Sequence, residues 1–426
     1  MKELHISPHA SPEVRSEATP ESAPGALRVR VAWTQPEVAA ALRAGRALLD
    51  RSGAPFCAKP MWLSRWYASS KARPVAVVVE RDGLTVGLAC LAIQRTGPLH
   101  TVTLAGDGPS DYGRLPACDV AAAAALSDGI LSVLARLWGP WRLRLAQLPL
   151  ADPVATALRD ALPGARLEPA QGCPAMAFGA DRAPERHISA KVRRGARRGR
   201  ARLEEAGVEV YVERVRDPVK VRRLLPELVA LHRSRDRALG RRSDLDGLSR
   251  RAFYVDVVRA LADAGQLDIW ALRLDGAIGA YFVGVLDGSS YRTLDARIAD
   301  LWPSASPGQL LRTEMITGVL ADPTVAELDW MRGEQRHKMS DATHVVPAEH
   351  LLAESSPWLT MGLRQGNALR QEVRDRIPGQ ARQWIRSRRG VVSGLAARSR
   401  GVRATPVAGR AAPRQPGAVD GSHEPS

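Results

Sequence analysis

The chain has 426 residues, 45% of them hydrophobic, and a formal net charge of +16. That length exceeds one ordinary core, so two globular domains flanked by tails are expected. No apolar run reaches the ~18 residues of a spanning helix, and four cysteines (Cys57, Cys90, Cys118, Cys173) with no CxxC spacing and no nearby His argue against a metal site or disulfide framework.

Those cysteines read as reduced, mostly buried thiols of a cytoplasmic protein. Charge is concentrated in two segments. Residues 191–202 hold seven Lys/Arg and no acid, and residues 360–426 hold thirteen Arg against Glu372, Asp375, Asp420 and Glu424. They account for the whole excess, so the question of an anionic partner reduces to these two segments.

In chain order, residues 1–27 form a polar leader rich in Pro, Ser and Glu, without the apolar stretch of a signal peptide, and read as disordered. A first domain, 28–165, opens with the alternating strand LRVRVAW. Pro36 starts a helix, PEVAAALRAGRALLD, and residues 56–69 suit a short aromatic helix. VAVVVERDG and LTVGLACLAIQRT make a hairpin turning at Asp82-Gly83. LHTVTLAG is a strand, GDGPSDYGRLP a loop, 120–137 a helix, WRLRLAQLPL a strand and 153–162 a short helix.

A second domain, 166–358, begins with a basic helix ending at Gly207 as a C-cap. VEVYVERV is a strand, and 218–238 and 247–265 are helices. LDIWALRLDG and AIGAYFVGVLDG form a second hairpin, turning at Asp275-Gly276. SSYRTLDARI is a strand, Ser306-Pro307-Gly308 opens an amphipathic helix, and VAELDWM is a strand. The halves echo each other at a period of about 190 residues, as in an internal duplication. The fold class is α/β (α+β), with mixed central sheets flanked by helices. Residues 359–426 form a basic, mostly disordered tail with a candidate amphipathic helix at 362–388. Trp384 and Ile385 among arginines suit an anionic membrane surface; the alternative is a solubilising extension.

Two segments suggest chemistry. The amides of a helix start favour an anion. Pro307 suits the first turn and Gly308 would let a ligand approach the backbone. Ser306, Pro307, Gly308, Gln309 and Leu310 are therefore a candidate diphosphate site, or simply a good helix start. Lys338 would meet a donor phosphate or pair with Asp329. The 191–202 helix reads as basic on every face, and Gly195 and Gly199 each weaken it by roughly 1 kcal/mol relative to Ala. It is expected to need a docking surface or a polyanion. Lys191, Arg193, Arg194, Arg197 and Arg198 are thus candidate acceptor-binding residues, or a solvated face. No aromatics are interleaved to stack on bases, which argues against nucleic acid.

The second half resembles the GNAT-type acyltransferases, and residues 30–345 resemble the CelD/BcsL-like tandem-GNAT family, whose fold is akin to the Fem peptidoglycan aminoacyltransferases. The resemblance rests on Pro60-Met61-Trp62-Leu63 with Trp66, and on Ser110-Asp111-Tyr112. In the second half it rests on Lys191–Arg202 leading into Leu203-Glu204-Glu205-Ala206-Gly207, and on Leu231-His232-Arg233. Ser306-Pro307-Gly308 with Leu310-Leu311, Leu328-Asp329, Arg332-Gly333-Glu334 and Lys338 complete it. Ala305, Gln309 and His337 depart from the family pattern, which tends to carry Tyr, a basic residue and an aromatic there.

The resemblance implies two tandem GNAT-like domains and transfer of an acyl group, acetyl in the first instance, from acyl-CoA to an amine or hydroxyl. The acceptor would be an anionic sugar, polysaccharide or lipid-linked envelope precursor of exopolysaccharide biosynthesis. Such transfer asks for in-line placement and a base, and no metal. Asp295, at the end of the strand before the Ser-Pro-Gly turn, and His232, following Leu224, Leu228 and Leu231 on a helix, are candidate catalysts. Each also reads as structural, Asp295 as a turn or ion-pair residue and His232 as a packed histidine. Asp111 and Tyr112 are loop candidates for acceptor contacts, or an Asx turn with a packed ring. Two other functions stay open: Fem-like transfer from aminoacyl-tRNA, with the basic helix gripping RNA, and a non-catalytic GNAT-fold protein recruited to an anionic surface. The location expected is cytoplasmic, with peripheral membrane contact through the tail.

Overall fold

The computed structural model describes residues 25–300, 302–356 and 362. Most of the polar leader and, apart from Gly362, the candidate helix at 362–388 lie outside them. The first half runs β1 (Leu27–Ala32), α1 (Gln35–Ala44), α2 (Arg46–Arg51), α3 (Pro60–Ser69), β2 (Arg73–Arg81), β3 (Leu84–Thr96), β4 (Leu99–Leu104), α4 (Val120–Ala135), β5 (Trp141–Pro149), α5 (Pro153–Ala161) and β6 (Arg166–Pro169). The second runs β7 (Cys173–Ala177), α6 (Pro184–His187), α7 (Ala190–Glu205), β8 (Val210–Val215), α8 (Pro218–Ala238), α9 (Leu248–Asp263), β9 (Leu267–Leu274), β10 (Ala277–Asp287), β11 (Ser290–Ile298), α10 (Pro307–Leu320), β12 (Glu327–Asp329), α11 (Arg336–Met339), β13 (His344–Val346) and β14 (Ala348–Glu354).

Local chemistry explains most boundaries. Asp82-Gly83 and Asp275-Gly276 all take positive φ, as a two-residue hairpin turn requires. Thr34 and Glu37 close a capping box on α1. The single helix expected after Pro36 is instead two, α1 and α2, meeting at Gly45. A Cβ there would come 2.6 Å from Leu88 Cδ2, so the break lets β3 pack against the backbone. Sequence reading also passed over β6, β7, β13 and β14.

Each half builds a seven-stranded sheet. The orders are β1-β2-β3-β4-β5-β14-β6 and β13-β7-β12-β11-β10-β9-β8. Every pairing is antiparallel except β4 with β5 and β11 with β12, at the same step in each sheet. The sequence echo is thus an echo of topology. One place in each sheet is filled from afar: β7, which precedes β8–β11 in the chain, lies between β12 and β13, and β14, near the end of the described chain, inserts between β5 and β6. β11 and β12 pair only over Ser290–Arg292, and β11 continues to Ile298 paired with β10 alone.

The core has three parts. Helices α4 and α5 cover one face of the first sheet. Helices α7 and α10 cover one face of the second. Between the sheets lies a shared layer of α1, α2, α3, α8 and α9, in which Trp62 of α3 meets Phe253 of α9 edge-on at 5.0 Å. No helix among the described residues is long and apolar enough to cross a membrane.

Candidate active site

Helix α8 buries Val221, Leu224, Leu225 and Leu228 on one face, and the same face continues to His232 and Asp236 at i+4 spacing. Opposite it, β11 carries a bulge. Gly284 pairs with Thr293 and Val283 with Asp295, which leaves Leu294 as the extra residue. A bulge re-aims the side chains that follow it. Asp295 and Arg297, two apart on the strand, then reach His232.

Asp295 is the hub. Its Oδ2 accepts from Tyr281 at 2.7 Å and Tyr254 at 3.1 Å and lies 2.9 Å from His232 Nδ1, while its Oδ1 accepts from Arg297 at 2.9 Å. Arg297 Nη2 sits 2.7 Å from His232 Nε2, and Asp236 Oδ2 lies 3.3 Å from the same nitrogen. An ionised carboxylate only accepts and a guanidinium only donates, so the neutral imidazole carries its proton on Nδ1 and offers Nε2 as a lone pair. Burial alone would raise the Asp295 carboxyl. Hydrogen bonds from His232 and Tyr281 and the Arg297 charge outweigh it and hold the group below the ordinary carboxylate range. Burial, then the Asp295 charge, pushes the Tyr254 and Tyr281 hydroxyls well above theirs, so both remain donors.

This cluster opens on a cleft of about 430 Å³. Trp62 and the Gly108-Pro109 loop form its first-half wall, and α8, α9, the segment joining them, and β11 form the other. Helix starts and loops of both halves therefore converge on His232 and Asp295.

The other candidates lie elsewhere. Asp111 and Tyr112 follow Pro109 but do not line the cleft. Asp111 pairs with Arg332 at 3.2 Å, and burial raises its carboxyl despite Arg332 and Lys338 nearby. Tyr112 donates to Asp329 at 2.6 Å, within a chain that continues through Arg292 to Asp287 and on to Lys59 and the Phe56 amide. These are buried ties between the halves. Lys338 donates to the carbonyls of Met331 and Arg332, and burial lowers its ammonium.

At the start of α10, Ser306 takes φ 51° and gives no side-chain cap, and no acid lies in the first turn. Ser306 and Gln309 are exposed, Pro307 and Leu310 buried. The Gln309 and Leu310 amides bond back to the Ser306 carbonyl. Gly308 is not an open approach for a ligand: a Cβ there would meet Ile298 Cδ1 at 2.2 Å. The matching helix of the first half, α4, differs. Its cap, Asp119, accepts from the Ala122 amide and pairs with Arg81, so a carboxylate already occupies that start.

Nor is α7 basic on every face. Ala196, Gly199 and Leu203 are buried. Gly199 lies against the Ala305 carbonyl and Gly195 against Gln309. The glycines that weaken the helix in isolation are what let it dock beside the α10 start. Arg193 pairs with Glu185 at 2.8 Å, whereas Lys191, Arg194, Arg197 and Arg198 are exposed and form no ion pair among the described residues. No group of three or more metal-ligating side chains occurs among the described residues.

Residues 190–339 match the family described as an acetyltransferase (GNAT) domain, under half of the chain. No curated protein matches. Among solved structures, FemX is similar at 10% identity, over 76% of this chain and 96% of its own, with a TM-score of 0.52. The C-terminal domain of a putative lysylphosphatidylglycerol synthetase from Agrobacterium fabrum is similar at 13% identity, over 79% and 98%, TM-score 0.49. A tandem GNAT protein from the clavulanic acid biosynthesis pathway is similar at 14%, over 78% and 99%, TM-score 0.44. The FemX likeness is one of fold. The chain is a pair of GNAT-like α/β halves, of which residues 190–339 match the acetyltransferase (GNAT) domain family.

Proposed function

We propose that this chain is an acyltransferase that takes an acyl group, acetyl in the simplest case, from acyl-CoA and passes it to an amine or hydroxyl of a sugar, polysaccharide or envelope precursor. The observation that carries the reading is His232 against Asp295 at the floor of a cleft, inside the matched GNAT region and on the strand that leads to the α10 start. The motifs shared with the CelD/BcsL-like family support the choice of acceptor. The 28–165 half would shape the acceptor side and the 166–358 half would hold the donor.

In this reading Arg297 moves off Nε2 onto the neighbouring Asp236, 3.5 Å away, and the acceptor N–H or O–H takes its place. His232 accepts that proton as the nucleophile attacks the thioester carbonyl. Asp295 holds Nδ1–H and offsets the imidazolium charge, and Arg297 donates to the carbonyl oxygen as negative charge builds. Collapse breaks the C–S bond, and the proton passes from His232 to the departing thiolate. The donor diphosphate is assigned to the α10 start, where Ser306 leaves the backbone without a side-chain cap.

Calorimetry with acetyl-CoA and free CoA tests the donor side. Gln309→Glu puts a carboxylate beside the assigned diphosphate and should weaken both by roughly tenfold or more. Equal affinity in the variant would remove the donor from this helix, and no binding of any CoA ester would favour a non-catalytic role. His232→Gln should retain donor binding and lower turnover by about 10²–10⁴.

One observation favours a second donor class, aminoacyl-tRNA: the four exposed cations on α7 that form no ion pair among the described residues. Salt-dependent tRNA binding, lost on charge reversal at Arg194 and Arg197, would support it. Turnover with acyl-CoA and no tRNA would decide against it.

A further inference from the structure

Helix α8, the segment after it and the start of α9 carry a run of arginines that divides by partner. Arg233 and Arg237 pair with Asp246, and Arg235 with Asp300. Arg241, Arg242 and Arg250 instead line the cleft that holds His232, and none forms an ion pair among the described residues. The lining also contains carboxylates, so the balance must be drawn with them. Asp236 and Asp295 are already engaged by His232 and Arg297. Asp244 is the one carboxylate of the lining without an ion pair among the described residues, and the same lining holds three guanidinium groups without one.

Arg250 has a further feature. Its Nη2 lies 2.7 Å from where a Cβ on Gly108, at φ 98°, would stand, so the guanidinium rests against the backbone of this first-half loop. Arg250 and Phe253 also line a second hollow of about 270 Å³ with Lys71 and Gln94. A group gripped by Arg250 therefore has space on both sides. Guanidinium groups are weakly hydrated and hold carboxylate or phosphate oxygens in pairs, and three of them share one lining with Trp62 and Phe253, a setting that suits such an anion.

We propose that Arg241, Arg242 and Arg250 form an acceptor subsite for an anionic group, phosphate or carboxylate, which sets the acceptor's reacting end against His232. This rests on the reading of the His232 cleft as the acceptor site. It moves recognition of the acceptor's charge from the outer face of α7 to the lip of the cleft.

The test is calorimetric titration of the full chain at low salt with glucose 1-phosphate, glucuronate and uncharged methyl glucoside. At least one anion should bind tenfold or more tightly than methyl glucoside, and its identity separates phosphate from carboxylate. Affinity for that anion should fall at least tenfold in Arg250→Gln and in the Arg241→Gln/Arg242→Gln double variant. It should recover in part in Arg250→Lys and remain unchanged in Arg194→Gln/Arg197→Gln on α7. Anions that bind no better than methyl glucoside overturn the proposal. So does wild-type affinity in the cleft variants, or an equal loss in the α7 variant. Acetyl-CoA titrated into the same proteins separates the two readings. Arginine-dependent anion binding without donor binding sinks the transferase alone, and donor binding without anion binding sinks the subsite alone.

Discussion

Asp295 gathers four donors from three other positions in the fold and one on its own strand: His232 on α8, Tyr254 on α9, Tyr281 on β10 and Arg297 on β11. Asparagine there keeps the shape and removes the charge that those donors were arranged around. Breaking a buried pair in this way costs roughly 3–5 kcal/mol, to be measured by urea unfolding at neutral pH. The pH dependence follows from the direction of the shift. The folded carboxyl lies below its ordinary value, so its stabilising contribution is complete above the unfolded value near ~4 and is lost as pH falls through the lower folded value. The gap between wild type and Asp295→Asn should therefore close in strong acid. A gap that stayed constant throughout would mean that packing, not charge, holds the site. Sequence reading proposed His232 and Asp295 separately, with no sign that residues 63 apart would touch. It overlooked Asp236 and Arg297, although local spacing marked both. Asp236 repeats His232 one helical turn on, and Arg297 shares a strand face with Asp295. Tyr254 and Tyr281 had no such local mark, because only the tertiary fold brings α9 and β10 to the same carboxylate.

At the scale of elements, α7 separates propensity from packing. Both of its central glycines read as liabilities of roughly 1 kcal/mol each, and nothing in the sequence distinguishes them. Their surroundings do. A Cβ at Gly199 would stand 2.1 Å from the Ala305 carbonyl oxygen, which is backbone and cannot yield cheaply. At Gly195 the nearest atom is the Gln309 amide oxygen at 2.8 Å, the end of a flexible side chain. Gly199→Ala should thus destabilise by roughly 1–3 kcal/mol despite its better helix propensity, whereas Gly195→Ala should be neutral or stabilising by up to about 1 kcal/mol. Thermal unfolding of the two variants checks the pair; stabilisation by Gly199→Ala would mean that α7 does not rest on the α10 start. The long elements, with their clear periodicity and DG turns, were legible in the sequence. The strands β6, β7, β12 and β13 are three to five residues long, too short for a period to emerge. Of these only β12 was anticipated, as a longer strand.

The molecule as a whole is tied together by its last described strand. β14 lies between β5 and β6, pairing with Pro149–Arg142 on one side and Pro169–Arg166 on the other. Leu351 and Ala353 fill the first half's own core, although the strand follows every strand of the second sheet in sequence. Without β14 the first sheet has a gap, an unpaired backbone edge on β5 and a detached β6. The polar chain from Tyr112 through Asp329, Arg292 and Asp287 to Lys59 couples the halves a second time, and most of its members are buried. The shared helical layer couples them a third time. Local pattern predicts two units of similar plan, but a strand's partner across nearly two hundred residues leaves no trace in its neighbours, so the interlock was not legible. Its consequence is specific. A fragment of residues 25–170 contains every strand of the first sheet except β14, and should give no cooperative unfolding transition. Residues 25–356 should unfold in one step, with far-ultraviolet dichroism and tryptophan fluorescence superimposing. A sigmoidal transition in the fragment, or two separated transitions in the longer chain, would show that the halves fold independently and that β14 is only an added edge. Substituting Leu351 with Asp in the longer chain keeps every backbone bond available while placing a charge in the first core, and it should lower the single transition for both halves together.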